Sequence, residues 1–218
     1  MASQLPQKIV AGVSVVDTPI VRAAVEYARA HSDDMTFNHV MRTWIFGVII
    51  HQGLFEKGKV TEMDLEAHAL AAVLHDLGWD VMDELVSKDK RFEVDGAFAA
   101  RSWIEEQQKN GLAANWDERR LQLVWDAIAI HAVPSIARFK EPVVRAVTFG
   151  AGADFRGPES DITGILTWDD FNAVNKAFPR HDITEGIRRI MIGLCRTKPE
   201  TTWDTFMAPW GRKYVPGY

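Results

Sequence analysis

His75 and Asp76 stand side by side in "AAVLHDLGWD", directly after the apolar run Ala71-Ala72-Val73-Leu74. Both side chains are expensive to bury. The spacing predicts one helix over "TEMDLEAHALAAVLHDLG", with Thr61 or Asp64 as its cap and Gly78 as its stop. Asp76 would then lie in the last turn, where the partial negative charge of a helix C-terminus disfavours a carboxylate. An unpaired buried ion adds a penalty of several kcal/mol. Two arrangements relieve this. Asp76 can pair with an arginine while His75 bonds a carbonyl, or a divalent cation can sit at the helix end and use both side chains.

Three further residues repeat the pattern. His39, in "TFNHVMRTWIFG", shares a helical face with Phe46 and Ile50. His131, in "AIAIHAVP", continues the stripe Leu121, Val124, Ile128, and Asp154 continues Val143, Val147 and Gly150 or Ala151. One histidine on an apolar face is usually a satisfied core residue. Four helices that each carry an imidazole or a carboxylate on an apolar stripe are satisfied most economically by a shared ion. For His131 a core histidine bonded to a carbonyl remains the alternative.

His39, then His75-Asp76, then Asp154, in this order on separate helices, resembles the HD-domain metalloenzyme superfamily. The resemblance implies an all-α fold and His39, His75, Asp76 and Asp154 as metal ligands. "FNHVMRTWIFG", "LHDLG", "RFEVDGA", the histidine of "AIAIHA" and "NAVNKAFPR" look closest to the cyanamide hydratase branch, over roughly residues 15–215. That likeness implies one zinc, water addition to a nitrile, and a pocket wall that includes Phe92 and Glu93.

Two departures weigh on the substrate. Many HD phosphohydrolases follow the pair with Gly-Lys, where the lysine meets phosphate. This chain has Gly78-Trp79, and the indole, just past the pair, is a candidate pocket residue. Dinuclear members use extra histidines before the final aspartate, whereas His131 alone lies between residues 77 and 153. Both points favour a mononuclear site and a neutral substrate, although Lys88, Lys90, Arg91 or Arg156 could reach a phosphate. Two imidazoles and two carboxylates suit zinc, iron(II) or manganese, and the resemblance favours zinc. A zinc-activated hydroxide would attack the nitrile carbon and give a urea or amide, with His131 orienting substrate or shuttling the proton.

The elements that must position these residues are helical. Apolar spacing of three to four predicts helices from Pro19 through "IVRAAVEYARAH", from about Asp34 to Gln52 before Gly53, and over 61–78. Others follow near 94–109, 117–132, 141–154, 168–177, 182–196 and 200–208. Alternating strand patterns are nearly absent, and 155–167 reads as a long loop. The expectation is a compact, single, all-α HD-type domain over 17–218, preceded by an N-terminal arm of residues 1–16.

The remaining features mostly exclude. The formal net charge of −5 across 218 residues, with no basic run, argues against a nucleic-acid partner. No uninterrupted apolar stretch reaches ~18 residues, so no membrane span is expected. The N-terminus lacks a signal-peptide layout, and Cys195 is the one cysteine, so a cytoplasmic location is expected and a thiolate site is excluded. "GAGADFRG" lacks the strand context of a dinucleotide loop. His68 shares a face with His75, but the ligand set is complete without it. His31, His51 and His181 look like helix-end residues. The aromatic C-terminal segment packs back on the domain or forms a contact in a homo-oligomer. The leading functional expectation is hydration of a small nitrile. The alternatives are an HD-type phosphohydrolase acting on a nucleotide or other phosphate ester, and a non-catalytic HD-fold binding module.

Overall fold

A computed structural model describes residues 5–79 and 84–218 of the chain. Among these the architecture is all-α apart from one hairpin. The helices are α1 (Pro19–Ala30), α2 (Asp34–Glu56), α3 (Leu65–Leu74), α4 (Phe92–Lys109), α5 (Glu118–Ala129), α6 (Pro134–Ala137), α7 (Pro142–Arg156), α8 (Trp168–Ala177), α9 (Ile183–Thr197) and α10 (Ala208–Tyr214). No helix of the described residues is long and apolar enough to cross a membrane.

The expected arm is in part a hairpin. β1 (Gln7–Val10) and β2 (Val13–Val16) pair antiparallel, with Gln7 opposite Val16. Ala11 and Gly12 both take positive φ (51° and 84°), which matches a two-residue hairpin turn to the right-handed strand twist. Val15 and Val16 enter the main core with α1 to α5 and α7, so this segment is part of the domain's packing.

The core explains where the site lies. α2 and α7 pack in backbone contact: a Cβ at Gly150 would stand 2.1 Å from the Thr43 carbonyl oxygen. Only glycine permits that approach, and it sets His39 of α2 beside Asp154 of α7. Asp64, not Thr61, caps α3 by accepting from the Ala67 N–H at 3.0 Å. α3 ends at Leu74, so Asp76 is not in the last helical turn as expected but in the turn beyond it. Gly78 follows in a 3-10 turn (Leu77–Trp79), where a Cβ would lie 1.9 Å from the Phe92 carbonyl oxygen. Close packing on the start of α4 redirects the chain there.

Three boundaries differ for local reasons. α2 runs through Gly53 to Glu56, because a Cβ at Gly53 would meet Ile165 at 2.5 Å; that glycine serves packing and does not stop the helix. α7 extends to Arg156 and is stopped by Gly157 at φ 73°. No helix spans 200–208. The Thr201, Thr202 and Thr205 hydroxyls bond the carbonyls of Lys198, Pro199 and Thr202, which offers the backbone an alternative to the helix. The helix begins instead at Ala208, with Pro209 in its first turn.

The aromatic C-terminal segment packs back on the domain. Met191, Leu194, Cys195 and Met207 bury against Phe92. A buried ion pair, Lys198 Nζ to Asp95 Oδ2 at 2.7 Å, ties the end of α9 to α4.

Candidate metal centre

Three imidazoles converge on Asp76, and each has its Nδ1 already engaged. His39 lies inside α2, and its Nδ1 is 2.6 Å from Asp154 Oδ2. His75 follows the end of α3, with Nδ1 2.7 Å from the Ala72 carbonyl oxygen. His131 follows the end of α5 in the same way, with Nδ1 2.7 Å from the Ile128 carbonyl oxygen. An Nδ1 facing an oxygen acceptor must carry the hydrogen. In each neutral ring Nε2 is therefore a lone-pair donor to whatever it faces.

What they face is a carboxylate. Asp76 Oδ2 lies 3.2 Å from His75 Nε2 and 3.4 Å from His39 Nε2, and Oδ1 lies 3.9 Å from His131 Nε2. Both Asp76 oxygens and the Nε2 atoms of His39 and His75 are buried without a hydrogen-bond partner. Acceptors pointed at acceptors repel unless a cation joins them. The candidate ligand atoms of His39, His75 and Asp76 lie within 4.8 Å of one another and can hold a metal ion. The C-termini of α3 and α5 end at the same place, and their partial negative charge also favours a cation.

Asp154 stands apart from this group. Its Oδ1 accepts from Arg42 Nε at 2.7 Å and from Arg180 Nη1 at 3.1 Å, and its Oδ2 accepts from Arg42 Nη2 at 2.9 Å as well as from His39. Arg180 also donates to the Asp154 carbonyl. Both carboxylate oxygens are thus used, and the side chain fixes the tautomer and orientation of His39. Here the structure departs from the expected four-ligand set. Burial raises the Asp154 pKa, but the bonds from His39 and Arg42 outweigh it and hold the carboxyl down at about 2.

The other ionisations follow from burial. Burial, with repulsion from His75, pushes His131 down to about 3, so its ring is neutral. Burial also opposes charge on His75, yet the negative charge of Asp76, 3.2 Å from its Nε2, outweighs it and raises the pKa.

A cavity of about 420 Å³ opens over the cluster. His39 and His131 line it, and Trp79, Phe92, Phe155 and Trp210 supply aromatic walls. Trp79 and Phe92, the expected pocket residues, both line this cavity. Glu93 is not in the lining: it is fully buried and paired to Arg91 Nη2 at 2.8 Å, because α4 begins at Phe92 and turns the next side chain away. His68 lies in the core of α3, away from the cavity lining.

No protein-family model matches the chain, and no curated protein matches it.

Arg42 and Arg180 were not singled out from the sequence. Arg42 had a signal, since it is one turn after His39 on an apolar helix and is fully buried. It also donates to the carbonyls of Phe178 and Pro179 at 2.9 and 3.0 Å, which brings the segment carrying Arg180 to the site. Arg180 ends the segment "NAVNKAFPR" that carries part of the resemblance, but no local pattern gave it or the α9–α10 wall a role, because only long-range packing delivers them.

Proposed function

We propose that this chain is a metal-dependent enzyme of the HD type that adds water to a small nitrile-type carbon, in the manner of a cyanamide hydratase. The observation that carries the reading is Asp76, a buried carboxylate with no donor, ringed by three Nε2 atoms. A binding module has no need of such a cluster. His39, His75 and Asp76 would hold one divalent ion, with Asp154 and Arg42 fixing His39. Two imidazoles and a carboxylate suit zinc and leave a position open, with iron(II) or manganese as alternatives. Such an ion supplies a Lewis acid that lowers the pKa of water to about 7.

The chain's own residues do the rest. Trp79 and Phe92 exclude bulk water and pack on the uncharged reacting end of the substrate. Neutral His131 offers its Nε2 lone pair to the cavity, where it can accept a hydrogen bond from the attacking water and orient it. The C–O bond forms at the nitrile carbon, one π pair moves to nitrogen, and nitrogen receives the proton. Tautomerisation yields the amide, or urea from cyanamide. A second reading, hydrolysis of a phosphate ester such as a nucleotide, draws on Arg156 in the same lining.

The test is metal analysis of the purified protein followed by turnover. The expected result is about one zinc or iron per chain, with amide or urea from benzonitrile or cyanamide. His131→Ala should keep the metal and lose roughly 10²-fold or more in turnover. Phosphate release from nucleotides without amide formation would transfer the site to the second reading, and a metal-free, inactive protein would overturn both.

A further inference from the structure

We infer that a recess beside the metal cavity is an anion subsite, so that the substrate carries a carboxylate or phosphoryl tail on an apolar body. The inference rests on reading the His39–His75–Asp76 cluster as the reacting end. A cavity of about 420 Å³ is in the range that holds drug-sized ligands. Cyanamide, with three heavy atoms, would leave most of it to water.

The second recess, of about 300 Å³, adjoins the first. Pro134, Thr148, Gly152 and Arg156 line both, so they form the shared wall. Arg138 lines the second recess but not the first. Arg156 and Arg138 are exposed, and neither side chain has an ion pair or hydrogen bond among the described residues. Arg138 only overlies the Phe139 ring, at 4.7 Å.

The nearby carboxylate offsets part of their charge but bonds neither guanidinium. Asp161 is in the recess lining, yet its oxygens accept from the backbone N–H groups of Thr163, Ile165 and Leu166 and from the Thr163 hydroxyl. Thr148 adds a second, independent sign. It is buried in the shared wall, and its hydroxyl has no hydrogen-bond partner. Two free guanidinium forks and an unsatisfied hydroxyl suit an oxyanion, which an arginine can take bidentately.

Gly152 sets the position of Arg156. A Cβ there would lie 2.5 Å from Arg156 Nη2. The glycine lets the guanidinium fold back along α7 onto the wall between the two spaces.

The experiment is calorimetric titration of the purified protein with 4-cyanobenzoate, 4-cyanophenylacetate, phenyl phosphate and benzonitrile. At least one anion should bind about tenfold more tightly than benzonitrile. The carboxylates and the phosphate distinguish the two sources of negative charge. Arg156→Gln and Arg138→Gln should each move that preference back toward one. Gly152→Ala, which keeps every charge but displaces the Arg156 guanidinium, should do the same. Equal affinity for the anions and benzonitrile, or a preference unmoved in all three variants, overturns the subsite. Because heat and not turnover is read, a protein that prefers the anions yet hydrates no nitrile refutes the proposed reaction and leaves the subsite standing. Hydration without any anion preference does the reverse.

Discussion

His39 and Asp154 meet at 2.6 Å across α2 and α7, through the imidazole nitrogen that faces away from Asp76. If His39 holds the proposed metal, Asp154 is the residue that positions it. Asp154→Asn is expected to weaken metal binding by about 10–100-fold, the usual cost of removing such a partner. Asp76→Asn is expected to abolish it. Competition with a chromogenic zinc chelator measures both. If the two variants lose binding equally, Asp154 is itself a ligand.

Asp76 also yields a prediction of opposite sign. Without metal its carboxylate is buried against lone pairs, whereas an asparagine amide could donate to one of the facing Nε2 atoms. In excess chelator, Asp76→Asn should therefore be more stable than wild type, by about 1–3 kcal/mol. With saturating zinc the order should reverse, since wild type gains about 2.7 kcal/mol at a hundredfold excess over Kd. Urea denaturation under both conditions checks the reversal. A variant less stable than wild type in chelator would show that Asp76 has a donor.

The helical frame was legible because α2, α4, α5, α7, α8 and α9 carry apolar residues at helical spacing and α3 is capped by Asp64. His75-Asp76 was legible because polar groups on an apolar run stand out. The division of labour within the candidate site was not. Whether Asp154 faces Asp76 or His39 depends on where Arg42 and Arg180 arrive, and nothing in "NAVNKAFPR", the segment that ends in Arg180, marks where that side chain will reach. The hairpin was missed because its strands have four residues each, too short for alternation to register.

Gly78 gives a test of how the pair is held. Its missing Cβ is what allows contact with the Phe92 carbonyl oxygen, and the obstacle is backbone. Gly78→Ala must push the 3-10 turn from α4 and carry His75 and Asp76 with it. The expected cost is about 1–3 kcal/mol in stability, with metal affinity reduced in the same variant. Thermal denaturation with zinc titration reads both. An alanine variant with unchanged stability and affinity would mean the turn can shift without moving the pair.

His68 predicts part of the acid response. It is fully buried in α3 and neither ring nitrogen has a partner. Burial, with a smaller contribution from His51, pushes its pKa down from 6.5 to about 3. The unfolded chain therefore binds a proton at this residue below about pH 6.5, while the folded chain does not until about pH 3. Stability is full above 6.5 and falls as pH drops through that window. Between pH 7 and pH 4 the loss from His68 alone is about 3 kcal/mol. His131 has the same sign, so wild type loses stability from both, and His68→Leu removes only one share. The gap between variant and wild type should shift in the variant's favour by up to about 3 kcal/mol from pH 7 to pH 4, measured by urea denaturation at each pH in chelator. Parallel acid limbs would mean that His68 is protonated in the folded state, with an acceptor that the α3 core does not show.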